Sequence, residues 1–156
     1  MRMCRPAVGD WLKVCCVVLF MAGCAPLISE YSLDAYKNAT SLKAETLALI
    51  DKAGEKYASH KDEAEALTTK INAAYEFAAG LSDNSQSAQQ WQLLRNPDGG
   101  LYGGFIRIWK AGPLPPVFRD DKKIQIGRAF DEIICLEINK KETQRCTGAA
   151  AASPKS

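Results

Sequence analysis

Ala64, Leu67, Ile71, Ala74 and Ala78 recur at steps of three and four residues, the cleanest apolar period in the chain. At about 3.6 residues per turn, that spacing returns every one of these side chains to a single face of an α-helix. A strand would scatter them over both faces. Strand-like alternation bounded by hairpin turns occurs nowhere in the sequence. The expected fold is therefore all-α.

A second face of the same kind precedes it. Ala35, Ala39, Leu42, Thr46, Leu49 and Ala53 form a narrow stripe of mostly small side chains on the proline-free segment Leu33 to Tyr57. Such a stripe lets a neighbouring helix approach closely. Ser32 is placed to cap the helix start, and Asp34 in the first turn suits the positive end of the helix dipole. Gly54 weakens the helix end by about 1 kcal/mol relative to alanine. Ser59-His60-Lys61-Asp62 has the form of a capping box for the second helix, and Gly80 stands where a left-handed terminator would. Two amphipathic helices joined by so few residues are expected to pack as an antiparallel hairpin.

A broken third element and a long last helix follow. Ser87-Ala88-Gln89-Gln90 reads as a capping box opening a short helix with Trp91, Leu93 and Leu94, which Asn96-Pro97-Asp98-Gly99-Gly100 stops. A second short stretch carries Leu101, Phe105, Ile108 and Trp109. Gly99-Gly100-Leu101-Tyr102-Gly103-Gly104 lacks the strand and the Lys-Ser/Thr of a phosphate-binding loop, so a flexible joint is expected there. The stiff connector Pro113-Leu114-Pro115-Pro116 leads into a helix from about Val117 to Lys141, with Ile126, Phe130, Ile133 and Ile134 inward. Residues 32–142 are thus expected to form a small up-and-down bundle of about four helices, and 143–156 a disordered tail.

Residues 1–23 have a different character. Arg2, Arg5 and Lys13 lead into an apolar run from Val14 to Gly23, half of the roughly 20 residues that span a bilayer as a helix. A cleaved signal peptide is expected rather than a transmembrane anchor. Phe20-Met21-Ala22-Gly23-Cys24-Ala25 resembles the lipobox of bacterial lipoproteins: two small residues directly precede the cysteine, and Met21 stands where leucine is commonest. The resemblance implies cleavage before Cys24, acylation of Cys24 and a lipidated tether over residues 24–31. Each buried methylene contributes about 0.8 kcal/mol, so several acyl chains hold a protein in the bilayer effectively permanently. Ala25, rather than an aspartate, follows the cysteine. By the same resemblance, that implies the outer membrane, with the domain facing the periplasm.

The chain has 20 basic and 18 acidic residues, of which residues 1–23 hold three and one, so the remainder is neutral with 17 of each. No polybasic face is left to recommend nucleic acid as a partner. Catalytic and metal-binding patterns are also missing. The single histidine, His60, has no ligand at metal spacing, no Glu-x-x-His pair occurs, and Cys135 and Cys146 lie too far apart in sequence for a zinc ligand pair. No Gly-x-Ser-x-Gly elbow is present. Asp131 and Glu132 point about 100° apart on a helix with Arg128 one turn away, which reads as a solvated charged face. No enzymatic activity, metal or cofactor is expected.

Cys135 and Cys146 would stand about 16 Å apart on one continuous helix, whereas a disulfide needs Cα atoms within about 7 Å. They can pair only if the helix ends near Lys140 and the chain turns back. A buried Cys135 and an unpaired Cys146 are expected.

Trp91, Tyr102, Phe105, Trp109 and Phe118 cluster in the part of the chain richest in glycine and proline. Large aromatics fill bundle cores, yet they are also enriched at binding hot spots, which makes these five the candidate partner-binding residues. The expected function is that of a non-enzymatic, membrane-anchored envelope lipoprotein, held in the lipid bilayer by Cys24, that binds another envelope protein as an accessory or assembly factor. The alternative is a periplasmic inhibitor or immunity protein against a toxin or hydrolase. Carriage of a small ligand in the bundle interior is a third reading.

Overall fold

A computed structural model describes residues 31–140 and Cys146. Within them the chain forms five α-helices: α1 Leu33–Lys52, α2 Lys61–Gly80, α3 Ser85–Arg95, α4 Tyr102–Ala111 and α5 Pro116–Ile138, with a 3-10 turn over Tyr57–His60. No strand occurs among the described residues, and the fold is all-α. No helix there is long and apolar enough to cross a membrane. The expected signal peptide over residues 1–23, the expected tether 24–31 with Cys24 (save Tyr31) and the expected tail 143–156 (save Cys146) lie outside the described residues.

Ion pairs between helices set the topology. Lys52 meets Glu63 and Lys70 meets Glu45, so α2 runs antiparallel to α1. Lys43 meets Asp131 and Lys123 meets Asp51, so α5 does too. Helix α3 packs on both α2 and α5, which closes a ring of four neighbours around one core. The helix count is five rather than about four because the broken third element is two separate helices. Only α3 joins the ring; α4 packs on α3 and on the 3-10 turn.

The two stripes read from the sequence are buried. Ala35, Ala39, Leu42, Thr46, Leu49 and Ala53 on the first segment, and Ala64, Leu67, Ile71, Ala74 and Ala78 on α2, all face the core. Ser32 caps α1, its Oγ accepting from the Ala35 N–H at 3.2 Å. The far end of α1 stops at Lys52, short of Tyr57, and its carbonyls are taken by other parts of the fold. Arg119 Nη1 donates to Asp51 O at 2.5 Å, and the Leu114 N–H donates to Ala53 O at 2.8 Å. Carbonyls at a helix end have no partner within the helix, so these contacts tie the connector and α5 to α1.

Four local expectations are corrected. Ser59 does not cap α2: a 3-10 turn fills the junction, and the cap position falls on His60, which makes no side-chain capping bond. Gly80 is not a left-handed terminator. It stays within α2, while Asp83 takes the positive φ of 55° and Asn84 Nδ2 donates to Ala78 O at 2.9 Å. Ser87 is buried inside α3, where its hydroxyl donates to Glu137 Oε1 at 2.5 Å instead of capping. The glycine segment is no flexible joint. A Cβ on Gly103 would stand 2.3 Å from Arg95 O, and one on Gly104 only 1.8 Å from Gly99 O. Glycine is needed there because the start of α4 presses directly on the backbone that leaves α3.

The cysteine expectation is overturned as well. Helix α5 ends at Ile138, and Cys146 forms a disulfide with Cys135 at a Cα separation of 5.6 Å. Cys146 is buried, and Cys135 is only half-buried. Beside them lies a buried polar cluster. Glu137 is fully buried, held by Ser87 at one carboxylate oxygen and by Lys140 Nζ, 2.7 Å from the other. Lys140 also donates to Asn84 Oδ1. A buried carboxylate is tolerable only with such partners.

Candidate cleft between α2, α3 and α4

Trp91, Tyr102, Phe105 and Trp109 are buried in the core, and Phe118 is half-buried against it. Of the five, Tyr102 alone borders the cleft between α2, α3 and α4. The indole of Trp109 meets Tyr57 edge-on at 5.3 Å between ring centres, and Trp91 meets Phe130 in the same way at 5.8 Å. Edge-to-face pairs of this kind add to the area they bury. The physical reason for this burial is the close seat of α4. With no side chain on Gly103 or Gly104, the helix sinks far enough to turn Tyr102, Phe105 and Trp109 inward.

That orientation decides what α4 shows on its other side. Gly103, Ile106, Arg107 and Lys110 line one wall of a cleft of about 660 Å³. The facing wall is the α2 row Glu65, Thr68, Thr69 and Asn72, which share one face at steps of three and four. Gln92 and Arg95 of α3, followed by Asn96 and Pro97, close one end, and Tyr57 lies at the cleft as well. The volume is within the range of sites that hold small molecules or a few residues of a peptide.

The floor is polar but neutral. Tyr102 OH shares a hydrogen bond with Thr68 Oγ1 at 2.9 Å, and Thr68 donates onward to Ala64 O at 2.8 Å. Burial pushes the Tyr102 phenol far above its ordinary pKa, against a smaller opposing effect of the Thr68 bond. Burial also raises Tyr57, helped by the negative charge of Glu65.

The rim carries three cations. The Arg95 guanidinium stacks 3.7 Å above the Tyr75 ring centre, while its Nε donates to Gln92 Oε1 at 2.8 Å and its Nη1 to Asn72 Oδ1 at 3.3 Å. Arg107 Nε donates to Pro97 O at 3.0 Å. Lys110 Nζ stands 5.3 Å from the Tyr57 ring centre. Every one of these partners is uncharged. Glu65, the one carboxylate in the lining, pairs at 3.9 Å with Lys61 instead.

Other sequence candidates fall elsewhere. Asp131 pairs with Lys43 at 2.5 Å across two helices, not with Arg128. His60 Nε2 lies 2.9 Å from Glu55 Oε2 beside the Trp109 ring. Among the described residues, no group of three or more His, Cys, Asp or Glu side chains could hold a metal ion. Arg95, Arg107 and Lys110 were not singled out from the sequence. One signal was available: Gly103, Arg107 and Lys110 recur at helical steps on the side opposite Phe105 and Trp109. No protein-family model matches the chain, and neither a curated protein nor a solved structure is significantly similar to it.

Proposed function

We propose that this chain is a non-enzymatic lipoprotein of the bacterial envelope, anchored in the outer membrane by an acylated Cys24, whose helical domain binds a partner protein in the cleft between α2, α3 and α4. The observation that carries the reading is where the cleft lies relative to the tether. Since α1 is antiparallel to both α2 and α5, the start of α1 and the end of α5 share one end of the bundle. Tyr31, Leu33 and Ile138 are exposed at that end, about where the tether joins. The cleft occupies the other half: Glu65 to Asn72 lie level with the second half of α1, and Tyr57 lies beyond its end. A domain tethered in this way holds the cleft outward from the membrane, open to a soluble or membrane-bound partner.

Two measurements test it. Fatty-acid labelling should mark the parent protein and not Cys24→Ser; equal label on both removes the anchor. A photo-crosslinking amino acid at Thr69, in the cleft, should give a discrete adduct in intact cells, whereas one at Ile124, exposed on α5, should not. Equal adducts at both positions, or none at Thr69, would remove the cleft as the binding surface.

A further inference from the structure

Four lysines on the outer faces of the bundle pair with acids across helices: Lys43 with Asp131, Lys52 with Glu63, Lys70 with Glu45 and Lys123 with Asp51. The cleft gathers three cations that have no such pair. Arg95, Arg107 and Lys110 form no ion pair with any carboxylate among the described residues. They converge on one concavity whose lining holds a single carboxylate, Glu65, so the positive charge there is in excess and is focused by the low-dielectric walls.

The two guanidiniums are also held in place. Arg95 is fixed by the Tyr75 ring and by two side-chain amides, and Arg107 by a backbone carbonyl. Neutral partners orient a guanidinium without cancelling its charge. Those bonds use the Nε–H of both residues and one N–H of Arg95 Nη1, which leaves the second Nη1 hydrogen and Nη2 of Arg95 and both terminal nitrogens of Arg107 as donors. Donors fixed in advance lose less freedom when an oxyanion arrives.

We propose that the cleft accepts an acidic peptide segment of the partner, with side-chain carboxylates bound at the Arg95–Arg107 end. This rests on the reading that the cleft binds a protein. Three features favour a peptide over a bare anion or a lipid headgroup. A volume of about 660 Å³ far exceeds what one phosphate fills. Thr69, Asn72 and Gln92 offer hydroxyl and amide groups suited to a peptide backbone, and Ile106 supplies an apolar patch between them. The cleft also lies in the half of the bundle away from the proposed anchor. Glu65 and Lys110 both act on Tyr57, where the carboxylate offsets the ammonium, so the acidic residues belong at the arginine end.

The test uses the purified chain from Cys24 onward, carrying Cys24→Ser, and a rhodamine-labelled octapeptide of alternating leucine and glutamate. Fluorescence anisotropy should show saturable binding that weakens as salt is raised, at least about tenfold tighter than for the same peptide with glutamine. Arg107→Gln and Arg95→Gln should each weaken it by about tenfold with helicity retained, since each removes a charge-assisted contact. Lys123→Gln, on the far side, should leave it unchanged. Equal binding of the two peptides, or no binding of either, overturns the proposal. So does displacement of the peptide by millimolar inorganic phosphate, or arginine-dependent binding to phosphatidylglycerol vesicles at equal affinity. A failed peptide alongside a persistent Thr69 adduct removes only the acidic ligand. Loss of both removes the binding reading itself.

Discussion

The indole Nε1 of Trp109 donates a hydrogen bond to Glu55 O at 2.8 Å, tying the last turn of α4 to the loop that leaves α1. The ring is fully buried and packs on Tyr57 and Phe105. Trp109→Ala should therefore cost about 3–5 kcal/mol, the range for large aromatic truncations in cores. Trp109→Phe keeps most of the apolar contact but orphans the Glu55 carbonyl, and should cost about 1–3 kcal/mol. Urea denaturation of both variants checks the order. A Trp109→Ala protein as stable as the parent would mean that the ring is not part of the core.

Gly104 and Gly80 should respond to alanine with opposite signs. A methyl at Gly104 meets the Gly99 carbonyl oxygen at 1.8 Å, a backbone atom that can move only if α4 lifts. We expect Gly104→Ala to cost about 3 kcal/mol and to disturb the cleft. Gly80 is helical, has nothing within 4 Å of its Cβ position and has no positive φ. Gly80→Ala should stabilise by about 0.5–1 kcal/mol, because alanine is less free in the unfolded chain. Paired thermal melts decide both signs.

Glu137 and Lys140 should couple strongly. Removing Glu137 leaves Lys140 with its charge in a largely buried site, beside an unpartnered Ser87 hydroxyl. Glu137→Ala is expected to cost about 3–5 kcal/mol, the range for breaking one side of a buried pair. The double variant Glu137→Ala/Lys140→Ala should lose less than the sum of the singles, since no charge then stays stranded. Additive losses in a double-mutant cycle would show that the two groups act independently.

Tyr102 should make the fold sensitive to alkali. Its phenol ionises near pH 10 in the unfolded chain but at a higher pH when buried. The folded state therefore binds this proton more tightly, and the stability it contributes is full below pH 10 and declines as pH rises above it. Tyr57 shifts in the same direction, so Tyr102→Phe should reduce the slope of stability against pH between 9 and 11 without abolishing it. An unchanged slope would mean that Tyr102 ionises as easily folded as unfolded.

Sequence alone determined what depends on neighbours within one or two turns. The buried faces of α1 and α2 follow from residue spacing, because helical period is local and the small side chains on those stripes have no better place than the core. Ser32 is readable for the same reason: the N–H it accepts from, on Ala35, lies three residues away. Local readings failed where a distant partner competed for the same group. Ser87 has the form of a cap, but Glu137, fifty residues on, takes its hydroxyl. Gly80 has the form of a terminator, but Asn84 satisfies the end of α2.

Only the tertiary structure decided the cleft and the disulfide. The period of α4 sets Phe105 and Trp109 opposite Arg107 and Lys110, but how deeply those aromatics sit is decided by contact of Gly103 and Gly104 with the backbone after α3. Whether Arg95, Arg107 and Lys110 lack acidic partners depends on which carboxylates three separate helices bring near them. Cys135 and Cys146 can meet because α5 ends at Ile138, a stop that its helical period does not encode. Spacing along the chain specifies which residues share a face, whereas packing specifies what that face meets.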